Sequence, residues 1–121
     1  MTHILIIDDD EQILKMLKQA IERKGYQVTT AINGRQGIRL YKEIHADVVI
    51  TDIVMPEMEG LEAIRKLRKE HEDVKIIALS GGGFVSPDEY LKLAEQFGAK
   101  YAFAKPVDLN ELIAAIKELT E

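Results

Sequence analysis

The chain has 121 residues, 46% of them apolar and 31% charged, the size and make-up of one globular domain with a single core. Lys and Arg number 16 against 21 Asp and Glu, and the resulting net charge of −5 argues against a nucleic-acid backbone as the main partner. There is no Cys, which excludes disulfides, thiolate metal sites and Cys nucleophiles. Met1-Thr2-His3 lacks a basic leader region, and the apolar run after it is too short for a signal peptide or a membrane span. The expected location is therefore the cytoplasm.

In chain order, Ile4 to Ile7 is a continuous aliphatic run of the kind found in strands buried on both faces of a parallel sheet, and it ends on Asp8-Asp9-Asp10. A helical pattern follows with Ile13, Leu17 and Ala20 on one face, stopping at Gly25 where a left-handed residue is wanted. Tyr26 to Thr30 alternates weakly, as a strand near a sheet edge does. A second helix carries Ile38, Tyr41 and Ile44. The aliphatic run Val48 to Ile50 leads to Asp52, and a third helix carries Leu61, Ile64 and Leu67. Ile76 to Leu79 leads to Ser80 and three glycines. Ser86, Pro87 and Glu89 then form a capping box for a helix with Tyr90, Leu93, Ala94 and Phe97 inward. Tyr101 to Phe103 is a short second edge strand, followed by Lys105-Pro106, and Asp108 with Glu111 caps a last helix bearing Leu112, Ile116 and Leu119.

This βα alternation, five times over and without an internal linker or repeat, predicts one α/β domain over 1–121 with a doubly wound five-stranded parallel sheet. A Rossmann order is disfavoured, because three Asp residues stand where G-x-G-x-x-G would follow the first strand. The flavodoxin-like strand order 2-1-3-4-5 remains, with ligands bound beyond the carboxyl ends of the strands.

In that order the first and third strands are neighbours, so Asp8 and Asp9 converge with Asp52 on one rim. At an effective dielectric near 20, each close carboxylate pair repels by about 4 kcal/mol, so a hard divalent cation, Mg²⁺ or Mn²⁺, is expected among them. Asp10 is read as the cap of the following helix instead. A carboxylate becomes a phosphoryl acceptor when charge on the transferring group is neutralised. Lys105 would supply a point charge, Ser80 a hydroxyl donor, and the main-chain N–H of Gly81 an approach free of side chain.

With ILIIDDD at 4–10, TDIVMPEMEG at 51–60, IIALSG at 76–81, GA at 98–99 and KP at 105–106, essentially the whole chain resembles the receiver domains of bacterial two-component response regulators. The resemblance implies that Asp52 is the phospho-acceptor. Asp9, Asp52 and the main-chain carbonyl of Val54 would ligate the metal, with Asp8 acting mostly through bound water. Ser80 and Lys105 would hold the phosphoryl group, and the Lys105-Pro106 bond would be cis. The donor would be a phosphohistidine on a histidine kinase or histidine phosphotransfer protein. The loop after the fourth strand, with the face of the fourth helix, fifth strand and last helix, would then act on a downstream protein as a monomer or a weak phosphorylation-dependent dimer. Such a domain assists only its own phosphorylation and dephosphorylation and is not a turnover enzyme. The chain departs from the family at Ala102, three residues before Lys105, where an aromatic switch residue is usual; Tyr101 is one residue early and by alternation faces the other way. His3, His45 and His71 fall away from the catalytic rim and are expected to be solvated or capping.

Two rivals use the same residues. A Mg²⁺-dependent phosphohydrolase with Asp52 as nucleophile needs a general acid, but Val54 stands two residues on, and no cap insertion is present. A flavin or nucleotide carrier needs a phosphate loop after the first strand, where Asp8-Asp9-Asp10 would repel phosphate. The chain stops just after its last helix, which suits a stand-alone regulator as well as the receiver part of a longer protein.

Overall fold

Three continuous aliphatic runs and two weaker ones become five parallel strands in a computed structural model that describes residues 1–53, 59–81, 92, 95, 96 and 98–121, with only the backbone of 59–61. The strands are β1 (His3–Ile7), β2 (Gln27–Ala31), β3 (Val48–Asp52), β4 (Ile76–Gly81) and β5 (Tyr101–Lys105), in the expected order β2-β1-β3-β4-β5. Helices α1 (Glu11–Glu22), α2 (Gly34–Ile44), α3 (Glu59–Glu70) and a C-terminal helix (Leu109–Thr120) cover the sheet. Lys92, Glu95 and Gln96 are helical, whereas the expected capping box at Ser86–Glu89 and the inward residues Tyr90, Leu93, Ala94 and Phe97 lie outside the described residues. Among the described residues no helix is long and apolar enough to cross a membrane.

Alternation along the central strands divides the core into two layers. Leu5, Ile7, Val49, Ile76 and Ala78 face α2 and α3, meeting Tyr41, Ile64 and Leu67. Ile4, Ile6, Val48, Ile50, Ile77 and Leu79 face α1 and the C-terminal helix, meeting Leu14, Leu17, Ile21, Leu112 and Ile116. Burial on both sheet faces is why these runs are continuously apolar.

The inward face of α1 is rotated from the expected one. Leu14, Leu17 and Ile21 are buried, while Ile13 and Ala20 lie at its margin. Apolar side chains at 13, 14, 16, 17, 20 and 21 make an arc too broad for one stripe, so contact with Val28 and the C-terminal helix selects the centre. Along α2, Tyr41 is buried as expected, but Ile38 and Ile44 are only partly so, and Gly34 and Gly37 take the innermost places. Three helices open on side-chain caps. Asp10 accepts from the Gln12 and Ile13 amides (2.9 and 3.3 Å), Asn33 from Gln36 (2.8 Å), and Asp108 from Asn110 and Glu111 (2.8 and 3.2 Å). Gly25 adopts the left-handed conformation expected after α1, with φ of 96°.

Away from the rim, His45 closes α2 in a left-handed conformation (φ 47°), as a capping residue. His71 differs from the solvated reading: its ring packs edge-on at 4.7 Å from Tyr41, and its buried Nε2 has no hydrogen-bond partner among the described residues. The third histidine, His3, opens β1 and meets Thr29 Oγ1 at 2.6 Å.

Gly37 sits so close to β1 that a Cβ there would lie 2.3 Å from Ile7 Cδ1 and 2.7 Å from Ile7 Cγ1. Ile7 is fully buried and has no room to yield. In an exposed helix interior Gly→Ala stabilises by about 1 kcal/mol. Here overpacking, which costs about 1–3 kcal/mol, is expected to win, so Gly37→Ala should lower stability in denaturant titration. Adding Ile7→Val, which removes Cδ1, should recover part of the loss; a stabilised Gly37→Ala protein would contradict this packing.

Candidate functional site: a carboxylate and lysine cluster at the strand ends

Register brings the charged residues together. Ile7 pairs with Thr51, so the residues that follow, Asp8 and Asp52, stand side by side at the ends of β1 and β3. Asp52 pairs with Leu79, placing Ser80 one step further on β4. Ser80 pairs with Ala104 and Gly81 with Lys105, so β5 delivers the lysine to the same edge. Asp8, Asp52 and Lys105 share the strand parity of Ile6, Ile50 and Phe103, and Ser80 has the opposite parity. The Lys105-Pro106 peptide is cis, as the resemblance implied.

Lys105 Nζ donates to Asp8 Oδ2 and to Asp52 Oδ2, at 2.7 Å each. The two carboxylates are almost wholly buried, at 1% and 4% exposure. Asp8 uses its second oxygen as well, accepting from the Asp10 amide at 2.9 Å, so both of its oxygens are satisfied. Thr51, not singled out from the sequence, is fully buried and donates through Oγ1 to the Asp52 carbonyl at 3.2 Å. Its one legible sign was a hydroxyl immediately before Asp52. Asp9 is exposed and points an oxygen back to the pair: ligand atoms of Asp8, Asp9 and Asp52 lie within 4.8 Å of one another. Oxygens about 2.1 Å from a Mg²⁺ ion would sit about 4.2 Å apart when opposite each other, so small side-chain rotations suit this set to a hard cation.

Burial pulls the Lys105 ammonium below the ordinary 10.5, but its hydrogen bonds to Asp52 and Asp8, and then their charges, more than reverse this and leave it raised. The stabilisation from Lys105 is therefore present in full below pH 10.5 and is lost only as pH rises through the raised value.

The structure thus gathers Asp8, Asp9, Asp52, Ser80, Gly81 and Lys105 on one rim, with Asp10 set apart as a helix cap. Val54 lies outside the described residues. Ala102 packs in the layer of α2 and α3, whereas Tyr101 lies in the opposite layer, stacked on Phe103 at 6.2 Å between ring centres. Hydrogen bonding to Glu118 of the C-terminal helix raises the Tyr101 pKa.

The family model for the response regulator receiver domain matches residues 4–117. The chain is similar to the chemotaxis protein CheY of Thermotoga maritima, 35% identical over 119 residues that cover 98% of this chain and 97% of that protein. It is also similar to the transcriptional regulatory protein YkoG of Bacillus subtilis (35% over 115 residues), covering 95% of this chain but spanning only 49% of that longer protein. Among solved structures it resembles the response regulator TrrA of Thermotoga maritima in complex with Mg²⁺-BeF, with a TM-score of 0.85, 33% identity, and 98% and 99% of the two chains covered. Strand order, the acidic cluster with its lysine, and these similarities agree: the chain belongs to the response regulator receiver domain family, the phosphorylation-dependent switches of two-component signalling.

Proposed function

We propose that residues 1–121 act as one receiver domain in which Asp52 takes a phosphoryl group from a phosphohistidine of a histidine kinase or histidine phosphotransfer protein. The observation that carries this reading is the lysine held 2.7 Å from each of two adjacent buried carboxylates, one residue short of Ser80 in strand register. An oxygen of Asp52 forms the new O–P bond as the N–P bond of the donor breaks. The freed imidazole keeps the electron pair and picks up a proton, and the product is an acyl phosphate. Asp9, Asp52 and the Val54 carbonyl would hold Mg²⁺ or Mn²⁺, with Asp8 acting through water, and the bound cation would supply neutralisation of charge on the transferring oxygens. Lys105 leaves its bridge to pair with a phosphoryl oxygen, and the Ser80 hydroxyl with the Gly81 N–H bonds to others.

Phosphate can bias two conformations only through contacts that differ between them, and Ser80 supplies such a contact. Ala102 has no ring to follow it, and the Tyr101 ring lies on the far face, stacked on Phe103. The signal is therefore read from the loop after β4 and the face of the helix carrying Tyr90, β5 and the C-terminal helix, by a downstream protein in the cytoplasm. The domain works as a monomer or a weak phosphorylation-dependent dimer, and its only chemistry is its own phosphorylation and dephosphorylation.

With Mg²⁺ and acetyl phosphate, intact mass should rise by one phosphoryl group, and hydroxylamine should remove it. Asp52→Asn should abolish the gain while Asp10→Ala leaves it nearly intact; labelling that survives Asp52→Asn would sink the assignment. Turnover of nitrophenyl phosphate at an enzyme-like rate would favour the phosphohydrolase reading instead.

Lys105 and the cation serve the same carboxylates, which yields a second expectation. Lys105→Met should destabilise the metal-free protein by a few kcal/mol, below the roughly 3–5 of a fully buried pair because the ammonium is partly solvated. Millimolar Mg²⁺ should raise the melting temperature of this variant more than that of the parent. Equal shifts in the two proteins would show that the lysine and the metal do not share ligands.

A further inference from the structure

The helices α2 and α3 together carry seven basic and four acidic residues, a net charge of +3 on a chain of −5, so the rest of the molecule carries −8. Arg35, Arg39 and Lys42 lie at i, i+4 and i+7 on the exposed side of α2, and Arg65, Lys66 and Lys69 are exposed on α3. Between the helices lies a cleft of about 240 Å³ lined by Gly34, Arg35, Ile38, Glu62, Ala63 and Lys66. A second depression of about 260 Å³, lined by Glu62, Arg65, Lys66 and Lys69, continues it across α3.

Helix electrostatics account for only part of this pattern. Lys42, Arg68 and Lys69 sit in last turns, where positive charge complements the helix dipole. Arg35 is in the first turn of α2, where the dipole disfavours it, and that turn has no acidic residue. Arg35 with Arg39 and Arg65 with Lys69 are like-charge i, i+4 pairs, which destabilise a helix. Among the described residues Lys42 pairs with Glu70 at 3.4 Å, but Arg39, Arg65, Lys66 and Lys69 make no ion pair. Of these charges Arg35, Arg65, Lys66 and Lys69 line the cleft and the depression, and Arg39 is exposed one turn on from Arg35.

We infer that the trough between and across α2 and α3 docks an acidic peptide segment of a partner protein, independently of the Asp52 site. Helices of 11 and 12 residues are about 17 Å long, which about five extended residues span. Concave walls with paired cationic rims suit a chain carrying several carboxylates. An anionic membrane fits less well, because among the described residues the exposed large apolar side chains are Met1, Met16, Ile32 and Leu109, none of which lines either depression. A nucleic acid fits less well because the −8 of the remaining surface repels a long polyanion.

The test is fluorescence anisotropy of a fluorescein-labelled hexaglutamate peptide with the full chain at low salt. Binding is expected, and it should weaken steeply as salt shortens the Debye length toward about 3–5 Å. Arg39→Glu with Lys66→Glu should weaken it by roughly tenfold or more, whereas the charge-matched Lys15→Glu with Lys24→Glu should change it by less than about twofold. The neutralising pair Arg39→Gln with Lys66→Gln, a milder change to the fold, should fall between the two. Equal loss in the two reversal pairs would reduce the effect to bulk charge and overturn the proposal. So would no binding to the parent, or tighter binding to phosphatidylserine vesicles or duplex DNA than to hexaglutamate.

Discussion

The ammonium of Lys105, shared at 2.7 Å between Asp8 and Asp52, is the contact on which the site depends. Two carboxylates with 1% and 4% exposure on adjacent strands would otherwise face each other across a low-dielectric rim. Removing one partner from such a cluster leaves an uncompensated buried charge, so the arrangement is stable only while something positive stands there. The lysine supplies one unit. With Asp9 included, three carboxylates and one ammonium leave a charge of −2, the charge that one divalent cation cancels. The residual negative charge of the rim suits a cation better than a phosphate.

Everything that holds this contact is ordinary parallel-sheet construction. β1 and β3 lie side by side because the order is β2-β1-β3-β4-β5, and the Ile7–Thr51 pairing sets Asp8 level with Asp52. The edge strand β5 is the one that reaches Lys105 to the rim, and its pairing of Gly81 with Lys105 fixes how far. The Asp10 amide steadies Asp8 while the Asp10 side chain caps α1, so one tight turn serves both the helix and the site. On the opposite layer Gly37 lets α2 close on Ile7, the residue immediately before Asp8.

Most of this was legible in the sequence, because continuous aliphatic runs ending in Asp8, Asp52, Ser80 and Lys105 specify both a buried parallel sheet and what stands at its rim. The cap role of Asp10 and Asp108 and the inward placement of Tyr41, Ile64 and Leu67 follow from local pattern, and the strand order from the missing G-x-G-x-x-G after the first strand. What escaped is set by tertiary contact. Lys105 was expected to meet a phosphoryl group, and nothing local says that it bridges Asp8 and Asp52 beforehand. The centre of α1 falls on Leu14 and Ile21 because its neighbours choose within a broad apolar arc. His71 looks like a polar helix-end residue, yet Tyr41 reaches across from α2 to cover it.

Asp52 is the proposed nucleophile of this rim, with Asp8 and Asp9 proposed to serve the cation beside it rather than to take the phosphoryl group. Acyl phosphates are reduced by borohydride, so the side chain that carried the phosphoryl group is converted to homoserine while free carboxylates are untouched. Peptide mass mapping after phosphorylation by acetyl phosphate in Mg²⁺ and borohydride reduction should place the homoserine at position 52 alone. Homoserine at position 8 or 9, or a phosphoryl group that resists reduction and maps to Ser80 or a histidine, would contradict the account.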